Sequence, residues 1–196
     1  MPLPEPRILD YTRWLARHRG LQFDPTTTAG YDALWRWSTG DLDAFWGSVW
    51  DYFDLQSPTP WRAVLAEARM PGARWFEGAQ LNYAQQVFRH ADAAHAAGHP
   101  AIVFRNERMG RALAMTSWPE LRARVASLAA ALRGLGVGPG DRVCAYLPNT
   151  PDAAVAFLAC ASLGAVWSVC SPDMGPVAVL DRWRQIEPRV LIACDG

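Results

Sequence analysis

Residues 142–170 read RVCAYLPNTPDAAVAFLACASLGAVWSVC, and the order of this stretch decides the fold class. Arg142 to Leu147 is a short apolar run that predicts a buried strand. Pro151 to Leu163 predicts a helix opened by Thr150 and closed by Gly164, since proline suits the first helical position and glycine the position past the end. Ala165 to Cys170 is a second apolar strand. A helix near Val177 to Ile186 and a strand from Arg189 to Cys194 complete a β-α-β-α-β order. Continuous apolar strands separated by amphipathic helices imply an α/β fold with a parallel sheet, covered on both faces and joined by right-handed crossovers.

Working outward toward the N-terminus, Ser117-Trp118-Pro119-Glu120 has the spacing of a capping box, so a helix begins there. Its apolar positions Leu121, Val125, Leu128, Ala129 and Leu132 share one face, and Gly134 and Gly136 end it. The runs around Ala101 to Arg105 and Arg111 to Thr116, with a polar turn from Asn106 to Gly110 between them, predict a hairpin. The glycines at 134, 136, 138 and 140 follow a helix and precede a strand. A phosphate cradle needs the reverse order, so Gly138-Pro139-Gly140-Asp141 is read as a tight connecting turn.

Up to about Pro100 the chain is rich in loop residues and holds seven of the ten tryptophans, which places a division into residues 1–100 and 101–196. In the first part Leu42, Phe45, Trp46, Val49, Trp50 and Phe53 recur at helical spacing beside Asp41, Asp43, Asp51 and Asp54. The polar face of this helix is acidic, so packing within a larger protein accounts for it better than a membrane surface. Pro71 to Phe76 reads as loop, leading through Leu81 to Ala84 into a helix reaching about Ala97.

The 19 basic and 19 acidic residues cancel, which leaves no basic stripe for nucleic acid and no field favouring anionic lipid. Every basic residue is arginine; without a lysine, this chain supplies neither a Schiff base nor a P-loop lysine. Cys144, Cys160, Cys170 and Cys194 sit in apolar stretches without C-x-x-C spacing, as expected for buried, reduced thiols in a cytoplasmic protein. The N-terminus, Met1 to Asp10, has prolines and early charges where a signal segment would be apolar. His95 and His99 fall at the fraying end of a helix without a nearby carboxylate ligand, so they read as surface residues, not metal ligands. No nucleophile with a recognisable activating base appears, so no catalytic residue and no metal site is assigned.

In open α/β sheets, ligands bind beyond the carboxyl ends of the strands. Here those ends are Pro148-Asn149-Thr150, Ser171 to Gly175, and Asp195-Gly196. The helix ends near Thr150 and Pro176 offer free N–H groups, although plain capping accounts equally well for Thr150 and Asp152.

The run Leu135 to Val143, with Tyr146-Leu147-Pro148-Asn149 and Leu163-Gly164-Ala165-Val166, resembles the start of the large domain in the adenylate-forming superfamily. Asp41 to Trp46 is similar to the extra N-terminal segment of its acetyl-CoA synthetase branch, so the resemblance covers nearly the whole chain. Within that branch Pro71 to Phe76, Leu81 to Ala84, Cys170-Ser171-Pro172-Asp173 and Arg184 to Pro188 look most like the acetoacetate–CoA ligase family. Acetate- and propionate-activating relatives usually carry a Gly-Gly-Phe type of turn where this chain has Pro172-Asp173-Met174. Met174 and Trp183 stand where the family would have Phe, exchanges that keep a large apolar side chain.

The resemblance implies a full-length enzyme that uses ATP, Mg²⁺ and CoA. Such an enzyme converts acetoacetate, or another short-chain acid, into an acyl-adenylate and then a CoA thioester. It implies an N-terminal fragment, inactive alone, whose phosphate loop, metal carboxylate and catalytic lysine lie beyond Gly196. It also implies that the turn around Asp173 approaches the CoA arm, the alternative being an ordinary strand-to-helix loop. A ligase for acetate or propionate and a non-catalytic interaction module bound through the Trp-rich face are the competing readings. A dinucleotide-binding domain fails on the order of the glycines. Oligomeric state stays open.

Overall fold

The computed structural model describes residues 5–194, which group into two compact units dividing between Leu81 and Asn82. The compositional change near Pro100 falls inside the second unit, because the helices of residues 83–96 pack on the helices that follow them.

The first unit holds α1 (Arg7–Arg19), α2 (Thr28–Gly40), α3 (Leu42–Tyr52) and a small hairpin of β1 (Leu65–Glu67) and β2 (Arg74–Trp75). Side chains start two of the helices: Thr27 Oγ1 accepts from the Gly30 amide at 3.1 Å, and Asp41 Oδ1 from the Ala44 amide at 3.0 Å. The Tyr11 hydroxyl meets Ser48 Oγ at 2.6 Å, tying α1 to α3, and the Tyr52 hydroxyl donates to Asp10 at 2.7 Å. Burial pushes the Tyr11 phenol above its ordinary value.

The acidic aromatic helix is present, but its aromatic residues do not share one fate. Trp50 is buried and packs on Phe76 with ring centroids 4.6 Å apart, whereas Trp46 and Phe53 are exposed. Tyr52 and Ser48 carry the contact with α1, a pairing that apolar periodicity does not report. The expectation that 71–76 is loop needs correction at Arg74 and Trp75, which pair antiparallel with Glu67 and Leu65.

The second unit opens with α4 (Tyr83–Phe88) and α5 (Ala91–Ala96), two short helices where one was expected. Their buried alanines, Ala84 and Ala91, allow close approach to neighbouring helices. Asn82 caps α4 through Oδ1 on the Gln85 amide and donates from Nδ2 to the carbonyls of Ala161 and Ser162, at 3.0 and 3.2 Å. The predicted hairpin forms from β3 (Ile102–Phe104) and β4 (Ala114–Thr116). Ser117 caps α6 (Trp118–Gly134), whose buried face is Leu121, Val125, Ala129 and Leu132.

The parallel sheet follows as expected: β5 (Arg142–Tyr146), α7 (Pro151–Ser162), β6 (Val166–Cys170), α8 (Pro176–Ile186) and β7 (Val190–Ala193). The strand order is β6-β5-β7, so β5 is central and fully buried at Val143, Cys144 and Ala145. Because successive strand residues face opposite sides, Val143 joins the core under α6 and α7, while Tyr146 faces α8 and meets Trp183 edge-on at 6.2 Å. No residue of α8 belongs to the α6–α7 core, so the two connections of this sheet lie on opposite faces.

Candidate functional site

The amino edge of the sheet is closed by its own hydrogen bonds. Asp141 Oδ2 accepts from the Gly138 amide at 2.9 Å, and the Gly140 amide donates to the Gly164 carbonyl at 2.9 Å. Gly136 and Gly140 adopt φ of 79° and 81°, the left-handed region that glycine enters without strain. Arg142 reaches the Ile186 and Glu187 carbonyls, and Arg189 pairs with Asp141 at 3.7 Å. The glycine-rich segment is therefore a connecting turn at the end of the strands opposite to that where ligands bind in such sheets.

The carboxyl edge is built differently. After β5, the Leu147 amide donates to the Cys170 carbonyl at 3.2 Å, extending the ladder to the last residue before Pro148. Thr150 precedes α7 with extended backbone, but its side chain makes no cap. The capping expectation is corrected here: the Ala153 amide donates to the Thr150 carbonyl at 3.1 Å, and the Thr150 hydroxyl donates to Asp152 Oδ2 at 3.4 Å instead of accepting from the helix.

After β6, the Met174 amide donates to the Ser171 carbonyl at 3.0 Å, closing a turn that carries Asp173 at its exposed tip. The Tyr146 hydroxyl lies 2.8 Å from the Pro172 carbonyl and 2.8 Å from the Met174 carbonyl. Asp173 makes no ion pair among the described residues. The structure thus brings together Pro148 to Thr150 and Ser171 to Gly175 at one edge, while Asp195-Gly196 lies outside the described residues. The sequence reading gives Tyr146 no role at the site: it enters there within the strand Arg142 to Leu147 and in the run Tyr146-Leu147-Pro148-Asn149.

The thiols divide. Cys144, Cys160 and Cys170 are buried, and burial raises the Cys160 thiol to about 11. Cys194 is exposed, against expectation, because it lies past the end of β7; its Sγ is 3.9 Å from the Tyr146 carbonyl. His95 and His99 are exposed at and beyond the end of α5. No three His, Cys, Asp or Glu side chains converge as a metal-ligand set among the described residues. Nor is any helix among them long and apolar enough to cross a membrane.

Comparison with known proteins gives these elements a context. Residues 88–196 match the family model described as AMP-binding enzyme, and residues 31–87 match the acetyl-coenzyme A synthetase N-terminus. A solved structure, the acetoacetyl-CoA synthetase from Streptomyces lividans, superposes with a TM-score of 0.85 at 48% identity, covering 97% of this chain and 28% of that one. The acetoacetyl-coenzyme A synthetase of Rhizobium meliloti (strain 1021) is 39% identical over 96% of this chain and 27% of its own length. A malonamoyl-CoA synthetase of Penicillium aethiopicum is 37% identical over 82% of this chain and 22% of its own length. The chain spans about a quarter of the length of the curated relatives it matches. With one family model covering more than half of the chain, including the parallel sheet, and a second matching residues 31–87 before it, the chain belongs to the AMP-binding enzyme family.

Proposed function

We propose that this chain is the N-terminal part of an ATP-dependent acid–CoA ligase acting on acetoacetate. The observation that carries the reading is the likeness, over almost the whole chain, to the solved Streptomyces lividans synthetase. In the reaction, the acetoacetate carboxylate attacks the α-phosphorus of ATP and pyrophosphate leaves. The CoA thiol sulfur then attacks the carbonyl of the acyl-adenylate, losing its proton, and AMP departs.

This chain supplies part of the scaffold for that chemistry. Its carboxyl sheet edge presents the Ser171 to Gly175 turn, with Asp173 at the tip as the CoA-facing residue of the reading. The described residues do not form a set that would hold Mg²⁺, and the chain has no lysine, so no step is assigned here to a metal or to a lysine. The 196-residue chain alone is expected to make no acetoacetyl-CoA. A reducing, cytoplasmic setting belongs to the reading and is supported by the burial of three of its four free thiols.

The likeness to the malonamoyl-CoA synthetase favours one variant. Malonamate and acetoacetate both place a carbonyl two carbons from the carboxylate and differ only in amide against methyl. The experiment is a competition on a full-length protein carrying this chain, with acetoacetate, malonamate, acetate and propionate offered together. Acetoacetyl-CoA as the main product supports the reading, malonamoyl-CoA selects the variant, and acetyl- or propionyl-CoA as the main product sinks both.

A further inference from the structure

We infer that Tyr146 is a positioning residue for the CoA half-reaction, acting by fixing which way the amides of the Ser171 to Gly175 turn face. The inference rests on the ligase reading above, and its observations are geometric. A single hydroxyl stands at the carboxyl end of the central strand, and two carbonyls separated by one residue, Pro172 and Met174, converge on it at 2.8 Å each. A phenol carries one proton, so it donates to one carbonyl at a time, or shares the proton between both. Each peptide is planar and trans, so drawing in these carbonyls directs the amides of Asp173 and Gly175 away from Tyr146.

The turn has few other restraints. It holds one internal hydrogen bond, from the Met174 amide to the Ser171 carbonyl, and its residues are exposed apart from Met174. Tyr146 is itself held firmly. Its backbone pairs in register with Cys170 on one side and Ala193 on the other. A rigid strand thereby imposes its geometry on a loop that would otherwise sample several shapes. Two amides facing outward are donors of the kind that the amide carbonyls of the pantetheine arm of CoA accept.

The test is Tyr146→Phe in a full-length protein carrying this chain, with Trp183→Phe as its control. The ring and its packing survive in the first variant, and only the hydroxyl is lost. Amide hydrogen exchange at Met174, whose amide holds the turn's internal hydrogen bond, is expected to rise by about five- to tenfold, the scale of one lost hydrogen bond. KM for CoA should rise by a similar factor, with KM for ATP within about twofold of wild type. Trp183→Phe should leave both exchange and KM for CoA within about twofold.

Unchanged exchange in Tyr146→Phe overturns the positioning role whatever the enzyme does. Faster exchange with an unchanged KM for CoA overturns the link to CoA. An equal effect from Trp183→Phe overturns the hydroxyl as the cause. A wild-type protein that forms no CoA thioester contradicts the ligase reading and with it the CoA link, while the exchange experiment still decides whether Tyr146 holds the turn.

Discussion

The two edges of the parallel sheet carry turns of opposite character. At the amino edge four glycines crowd into seven residues, yet Asp141, Gly164 and Arg189 satisfy or cover the backbone there. At the carboxyl edge a single glycine, Gly175, closes a turn that points Asp173 outward and is held through the hydroxyl of Tyr146. Glycine density marks where the chain must turn tightly, whereas position relative to the strands marks where a ligand can reach. The glycine-rich turn follows a helix, so it has neither the exposed amides nor the helix start that an anion requires.

The largest expected effect that sharpens this contrast is chemical. Iodoacetamide should modify Cys194, at the open edge, on the order of a hundredfold faster than Cys160 in the helix core. Comparable rates would mean that the core opens as readily as the edge. The same burial has a consequence for pH. The Cys160 thiol is raised from 9.0 to about 11, so its stabilising contribution is complete below pH 9 and is lost as pH rises toward 11. Chemical denaturation across that range should show a falling midpoint that Cys160→Ala makes shallower, the remaining slope belonging to Tyr11, Tyr52 and Cys144, which burial also raises.

Next in size is Gly136→Ala. The added Cβ would meet the Arg189 guanidinium 2.6 Å away and would hold an L-residue at φ 79°, for a loss of about 1–2 kcal/mol in denaturation. A neutral result would remove the argument that the amino edge is tightly closed. The smallest effect belongs to Asp173→Ala, within about 0.5 kcal/mol of wild type in stability, since the side chain is exposed and without an ion pair among the described residues. A large destabilisation there would make Asp173 a structural residue of the turn and not an outward-facing one.

Much of the second unit could be read from sequence because its signals are local. The apolar runs 142–147, 165–170 and 189–194 and the Ser117 cap of α6 each announce an element within a few residues. The helices α1 and α2 lie in the stretch that the sequence reading leaves unassigned; α1 buries Thr12 and Leu15 and α2 buries Leu34 among the described side chains. β1 and β2, at three and two residues with an irregular register, are shorter than any periodicity can detect. The break at Arg89 and His90 lies in a stretch of helix-compatible residues, and the buried alanines on either side of it, Ala84 and Ala91, carry no local signal of a division.

At the candidate site the sequence located the loops but not what holds them. Pro148 to Thr150 and Ser171 to Gly175 follow from strand order alone. The Tyr146 contacts span 26 and 28 residues, and no local pattern distinguishes this tyrosine from any other at the end of a strand. A threonine before a proline reads as an N-cap, but the Thr150 hydroxyl donates to Asp152 Oδ2, a side-chain choice that residue types and spacing do not report.

The proposed ligase passes through an acyl-adenylate, which leaves a signature in its nucleotide products. The most direct test is to identify the nucleotide products formed by a full-length protein carrying this chain when it is given acetoacetate, ATP and CoA. The account predicts AMP and pyrophosphate in equal amounts with acetoacetyl-CoA. ADP and phosphate, or nucleotide turnover without any thioester, would contradict it.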